Sequence, residues 1–251
     1  MTELRICTWN IHKGFSQFNR RMVIHELRER LQALGADLVF LQEVQGQHHG
    51  HAQRHADWPA EPQYEFLADR MWPATAYGRN AIYDHGHHGN AILSRHPIAQ
   101  SVNRDVSAHR FEQRGLLHCV IEPDGHTRVH ALCVHLGLTA RGRERQYAML
   151  SEHIRSAIPG DEALIVAGDF NDWHNRAEDQ WAHALGLHEA HSQLHGRPAR
   201  SFPAAFPILR LDRIYVRGLR VREVARHAGN PWARISDHAA LTALLSLQER
   251  S

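Results

Sequence analysis

An α/β fold with mixed sheets is what this sequence predicts, and three observations carry the prediction. The chain opens β-α-β: Leu4 to Trp9 alternates apolar and polar, Val23, Ile24, Leu27, Leu31 and Leu34 follow the helical period, and Leu38 to Leu41 is a short apolar run of buried-strand type. A second helix-then-strand unit follows, with Tyr147, Leu150, Ile154 and Ile158 at helical spacing, Pro159-Gly160 as a stop, and the apolar run Ala163 to Ala167. Between these units, strand-like runs at Ala91 to Leu93, Leu116 to Ile121 and Val129 to Val134 are punctuated by Pro123-Asp124-Gly125, a turn signal that favours antiparallel neighbours.

The remaining elements follow in order. Asn10 closes the first strand and Gly14 opens a loop, Gly35 ends the first helix, and the second strand delivers Gln42 and Glu43 at its end. From Gln45 to His88 the periodicity weakens into His, Gly, Pro and aromatics, which reads either as a substrate-facing excursion or as an ordinary surface insertion. Ile214 to Val216 and Ala239 to Leu245 supply late strands. No repeat, linker or composition break divides residues 1–251, so a single domain is expected.

With 251 residues, 43% apolar and 22% charged, the chain can bury a sizeable core. A net charge of +2 is too balanced to identify a polyanionic partner. Lys13 is the sole lysine among 29 basic residues. The arginines suit phosphate recognition by planar forks, although a genome-wide arginine bias explains them as well. Cys7, Cys119 and Cys133 sit in apolar runs without C-x-x-C spacing and read as small buried hydrophobes. With no signal-like start and no transmembrane-length apolar stretch, a soluble cytoplasmic protein is expected. Histidines crowd at His48, His49, His51 and His55 and again at His85, His87 and His88; His51 and His55 would share one helical face, a transition-metal spacing, while histidine-rich surface loops are the commoner reason.

Dinucleotide, P-loop and G-x-S-x-G signatures are absent. What stands out instead is polar residues just outside strand-like runs. Asn10 and Glu43 follow early strands, and Gly168-Asp169-Phe170-Asn171 follows the most apolar run, with Asp169 and Asn171 on one side if the chain stays extended. Asp212 and Asp237-His238 precede late strands. If the late strands run antiparallel to the early ones, all these groups meet on one rim. Amide and carboxylate oxygens there suit Mg²⁺ or Mn²⁺, and a histidine moves protons near neutral pH, which is the equipment for metal-assisted attack of water on a phosphoryl group.

At these residues the chain resembles the endonuclease/exonuclease/phosphatase family. The matching segments are Thr8-Trp9-Asn10-Ile11, Leu41-Gln42-Glu43-Val44, Gly89-Asn90-Ala91-Ile92-Leu93-Ser94-Arg95, Val134-His135-Leu136, Gly168-Asp169-Phe170-Asn171, Leu211-Asp212-Arg213-Ile214 and Ser236-Asp237-His238, in family order and spanning nearly the whole chain. The resemblance implies a four-layered α/β sandwich, two mixed sheets face to face with helices outside, and a hydrolase of phosphodiesters or phosphomonoesters. It implies Mg²⁺ bound by Glu43 with help from Asn10 and Asp237. Asp169 would orient or deprotonate water, and His238 paired with Asp212 would be a second acid/base or a phosphate donor. His135 would face the scissile phosphate, and Asn171, Asn90 and Arg114 would hold it. The implied partner is a phosphate-ester substrate, nucleic acid being slightly favoured over a phospholipid or inositol-phosphate headgroup, with no obligate protein partner. Arg213, where the family often has tyrosine, would add a cation near the rim. Two readings compete: a non-catalytic binding protein on the same fold, and a zinc or nickel site in the histidine-rich segment.

Overall fold

The computed structural model describes residues 2–16, 21–48, 50, 55, 57–173 and 184–247. Among them, two six-stranded mixed sheets lie face to face. The first runs in the order β11 (Leu219–His227), β12 (Ala240–Leu247), β1 (Glu3–Asn10), β2 (Leu38–His48), β4 (Gly86–Ser94), β3 (Ala74–Tyr83). The second runs β5 (Ile98–Asp105), β6 (Gly115–Ile121), β7 (Val129–His135), β8 (Ala163–Asp169), β10 (Asp212–Arg217), β9 (His188–Glu189). Helices α1 (Ile24–Leu34) and α2 (Gln63–Ala68) cover the outer face of the first sheet, and α3 (Ala140–Ala157) that of the second; α4 (Ala190–His195) sits beside β10 and β11. This is the expected four-layered sandwich.

Strand alternation builds these layers. Leu4 and Ile6 of β1, Leu38 and Phe40 of β2, Ala131 and Cys133 of β7, Ile165 and Ala167 of β8 and Ile214 and Val216 of β10 form the core between the sheets. The opposite faces, Cys7, Trp9, Val39 and Leu41 on one side and Leu132, Leu164 and Val166 on the other, pack under the helices. α1 ends where expected, on Gly35 in the left-handed region at φ 61°. α3 starts earlier than its periodicity indicates, because Thr139 Oγ1 accepts the Gly142 N–H at 3.2 Å and caps it.

The stretch 45–88 is a correction. Its described residues are largely regular structure and not a surface insertion: β2 continues to His48, α2 follows, and β3 and the start of β4 complete one end of the first sheet, with His88 lining a cleft at that edge. These strands are half-exposed and mix aromatic with polar residues, so no clean period marks them. β5 is nearly all exposed and was invisible for the same reason. The cysteines are buried as expected, and burial pushes each thiol up to about 12. No helix among the described residues is long and apolar enough to cross a membrane.

A chain of buried histidines crosses the second sheet. Glu162 accepts from His130 Nε2, His130 Nδ1 accepts from His118 Nε2 at 2.8 Å, and His118 Nδ1 accepts from His153 Nε2 at 3.0 Å. One tautomer, Nε2–H, satisfies every link. Burial, reinforced by neighbouring positive charge, pushes His118 down to about 3 and His153 to about 4, and His130 is also lowered, burial outweighing Glu162. Folded values below the unfolded value of about 6.5 mean stability that is intact above that pH and lost as pH falls towards the folded values, at about 1.4 kcal/mol per pH unit for each ring held neutral. Urea midpoints should therefore drop between about pH 6.5 and 4, and less steeply in His118→Phe; parallel pH profiles for the two proteins would contradict this role.

Candidate active site

The inward-facing rows of several strands end, at one edge of the sandwich, in polar residues. Ala163, Ile165 and Ala167 lead to Asp169 on β8; Ala131 and Cys133 lead to His135 on β7; Ile214 is preceded by Asp212 on β10. β8 pairs parallel with β7 and antiparallel with β10, so Asp169 lies directly beside both His135 and Asp212. On the facing sheet, parallel β1 and β2 end on the same side, and antiparallel β12 begins there just after His238. The opposite strand polarity expected of the late strands is what closes the rim.

Glu43 reaches this rim through a distortion. One extra residue between Leu41 and Val44 shifts the β2–β4 register, and Glu43 sits in the bulge at φ 56°. A non-glycine residue held there is strained, a cost that structure retains at functional positions. Gly168 at φ 150° is equally required: a Cβ would lie 1.9 Å from the Val134 carbonyl, so only glycine lets β8 approach β7 and present Asp169.

Asn10 Nδ2 donates to Asp169 Oδ2 at 3.2 Å and to Glu43 Oε1 at 3.3 Å, joining the two sheets through one amide. Around Asp169 Oδ2 lie His135 Nε2 at 3.5 Å and His238 Nε2 at 3.8 Å, and His238 Nδ1 is 2.9 Å from Asp212 Oδ2. Trp9 Nε1 donates to the His238 carbonyl at 2.8 Å and Ser236 Oγ to the Asn10 carbonyl at 2.7 Å, fixing the imidazole's approach.

The electrostatics divide the labour. Burial opposes the Glu43 charge, yet Lys13 and the Asn10 amide favour it and hold the carboxyl well below the usual carboxylate range, so it is ionised at any working pH. Burial, with Asp212 adding like charge, lifts Asp169 to about 7 although His238 opposes it. Burial pulls the other way on His238, but Asp212 and Asp169 raise it to about 10, so the proton of this trio resides on the imidazole. His135, buried and facing Arg114, is pulled well below the usual histidine range and is neutral.

These groups open into a cleft of about 410 Å³ with a polar wall of Lys13, Glu43, His88, Arg114, His135, Asp169, Asn171 and His238 and an apolar wall of Leu138, Trp173, Phe202, Leu209 and Leu211. Several site expectations need adjustment. Asn171 lines the cleft, but the chain has left the strand, at φ 49°, and its Nδ2 donates to the Leu136 carbonyl at 3.0 Å; it faces the cleft through a turn, not through extended alternation. Asn90 is buried between the sheets, donating to the Gly115 carbonyl at 2.9 Å and to that of Cys133 at 3.3 Å, so its amide is spent bracing strands instead of meeting a phosphate. Asn10 Oδ1 accepts the His12 N–H at 3.1 Å, leaving its Nδ2, not its oxygen, towards the carboxylates. Asp237 Oδ1 lies 3.5 Å from His12 Nδ1, beside rather than in the cleft wall. Arg213 is fully buried and donates to the carbonyls of Arg210, Asp212 and Asp172, so it adds no cation to the rim.

Sequence reasoning missed Lys13 and His88. Lys13 Nζ stands 3.8 Å from Glu43 Oε2 on a left-handed turn, φ 58°. His88 Nδ1 is buried without a hydrogen-bond partner, and burial with Lys13 nearby holds its ring at about 4. The one available signal was that the chain's sole lysine lies three residues after Asn10.

Hard oxygen donors fit a divalent cation here: the ionised Glu43, and buried Oδ1 atoms of Asp212 and Asp237 that lack hydrogen-bond partners. Asp169, Asp212 and His238 also cluster with ligand atoms within 4.8 Å of one another. Of the histidine-rich segment, His49 and His51 lie outside the described residues, and His87 Nδ1 is engaged by Tyr77 Oη at 2.9 Å.

Comparisons with known proteins agree with this fold. The chain is 48% identical over 244 residues to the uncharacterized protein YbhP of Escherichia coli, covering 97% of this chain and 96% of the relative, and to the same degree to YbhP of Shigella flexneri. Among solved structures it is similar to an endonuclease/exonuclease/phosphatase of Beutenbergia cavernae (TM-score 0.76, 19% identity, 98% of this chain and 72% of that one). It is also similar to the human Nocturnin catalytic domain with bound sulfate (0.74, 20%, 98% and 94%) and to D. rerio TDP2 complexed with a single-strand DNA product (0.73, 20%, 98% and 100%). The family described as Endonuclease/Exonuclease/phosphatase matches residues 7–238. With that match across most of its length, the chain belongs to the endonuclease/exonuclease/phosphatase family, whose members are phosphoester hydrolases.

Proposed function

We propose that this single-domain protein is a Mg²⁺-dependent phosphodiesterase, with nucleic acid as the favoured substrate class. The observation that carries the proposal is geometric: buried Asp169 Oδ2 stands 3.5 Å from His135 Nε2 and 3.8 Å from His238 Nε2, and one Asn10 amide joins it to Glu43. A carboxylate poised near neutral pH accepts a proton from water efficiently. His238, oriented by Asp212, donates to a phosphate oxygen as charge develops there, and neutral His135 with Arg114 and Asn171 positions the phosphate in the cleft. Glu43, with Asp237 nearby, would hold the cation, which when bound neutralises phosphate charge and lowers the pKa of coordinated water. Asn10 keeps the Glu43 and Asp169 carboxylates in register.

The apolar wall supports a diester over a monoester. Trp173, Phe202 and Leu138 offer a face for the group on the far side of the phosphate, and aromatic rings stack on bases of any sequence. TDP2 was solved with a single-strand DNA product, consistent with such an occupant. A lipid acyl region would use the same wall, so substrate comparison decides between them. The expected result is Mg²⁺-dependent hydrolysis of bis(p-nitrophenyl) phosphate well above that of p-nitrophenyl phosphate, abolished by EDTA and restored by Mg²⁺. In a panel of single-stranded DNA, RNA, cyclic dinucleotide, sphingomyelin and phosphoinositide, a nucleic acid should lead. Inactivity on every ester with Mg²⁺ and Mn²⁺ would leave a binding protein; a lipid turned over fastest would reassign the substrate.

A further inference from the structure

Behind the catalytic cleft, the segment leading into β10 has two faces. Phe202, Leu209 and Leu211 line the cleft, whereas Arg200 and Arg210 line a separate cavity of about 360 Å³ between this segment, α4 and β11. Its ionisable lining is Arg197, Arg200, Arg210, Arg226, His191 and His195, with no carboxylate. Among the described residues, two of the guanidiniums are tethered to backbone: Arg210 Nε donates to the Pro198 carbonyl at 3.1 Å and Arg226 Nη1 to that of Arg200 at 3.3 Å. No ion pair to any of the four is found among the described residues. Burial and the positive charges of Arg200, Arg197 and Arg213 lower Arg210, and burial with His195 and Arg226 pushes His191 down to about 4. His191 is 5% exposed, and its Nε2 is buried with no partner.

We propose that this cavity is a second, non-catalytic anion site that takes a compact, multiply charged phosphate group of diphosphate size. Four like charges share one hollow, three on exposed arginines (Arg197, Arg200 and Arg226) and one on half-buried Arg210, and an entering anion relieves the repulsion that solvent leaves between them. Guanidinium forks match phosphate oxygens in pairs, and a neutral His191 can carry its proton on Nε2 as a further donor. The volume sits near the lower end of the roughly 300–1,000 Å³ usual for ligand sites, enough for a diphosphate. Two sources share that chemistry: free diphosphate, and the phosphorylated end of a nucleic-acid strand.

Calorimetry in EDTA at low salt tests the site with pyrophosphate as the probe. The wild-type protein should bind it, and the double variant Arg200→Gln/Arg226→Gln should weaken binding by about 100-fold or more, since each charge-assisted hydrogen bond lost costs about tenfold. Arg114→Gln, which alters the catalytic cleft, should leave this affinity unchanged, and the double variant should still hydrolyse a small diester at the wild-type rate. A 5′-phosphorylated oligonucleotide bound more tightly than its dephosphorylated twin, with the preference lost in the double variant, identifies a strand end as the source. Equal binding of the two oligonucleotides identifies free diphosphate. Absence of pyrophosphate binding at millimolar concentration, or binding lost in Arg114→Gln but kept in the double variant, overturns the proposal.

Discussion

Asp169→Asn should lower kcat by about 100- to 10,000-fold, the range that positioned acid–base groups contribute, while the protein stays folded. The asparagine keeps the size of the side chain and an Oδ1 acceptor for the Asn171 N–H, which Asp169 now takes at 3.0 Å. It removes the basic oxygen that Asn10, His135 and His238 surround. Burial already penalises the charge on Asp169, so its loss has little stability to cost; a change of about 1–2 kcal/mol would move Tm by only a few degrees in a chain of this size. Steady-state kinetics with a thermal melt on the same preparation separate the two effects. Retained turnover would remove Asp169 from the chemistry.

The second large effect is expected at Glu43. Glu43→Gln keeps the shape but deletes a carboxylate in the cleft wall that Lys13 and the Asn10 amide hold ionised. Calorimetric Mg²⁺ affinity should fall by about 100-fold or more, and kcat with it, because loss even of groups that only support metal ligands costs about 10- to 100-fold. Raised Mg²⁺ should recover part of the turnover. Wild-type Mg²⁺ affinity in Glu43→Gln would move the cation to the neighbouring Asp169, Asp212 and His238 cluster.

How far the site was legible follows from how each residue is reached. Asp169 and Asp212 end or begin clean apolar strands, so their place on a rim follows from period and polarity alone, whereas His135, at the end of an equally apolar strand, was reached through the family resemblance. Asn171 reaches the cleft as expected but through a left-handed turn and not by extended alternation, whereas two carbonyls across the sheet interface occupy the Asn90 amide. Lys13 and His88 carried no periodic signal, since one rides on a strained turn and the other on a mixed-polarity strand.

The α/β class, the burial of the three cysteines and the strands β1, β7, β8 and β10 were legible in the chain, because amphipathic period and apolar runs are local properties. Which of the polar groups share a proton, which way each amide points, and the gathering of arginines of the second half around a hollow lined by no carboxylate emerge on folding. Those outcomes depend on strand pairing and on desolvation by residues far along the chain, as when Asn10 meets Asp169 across 159 positions.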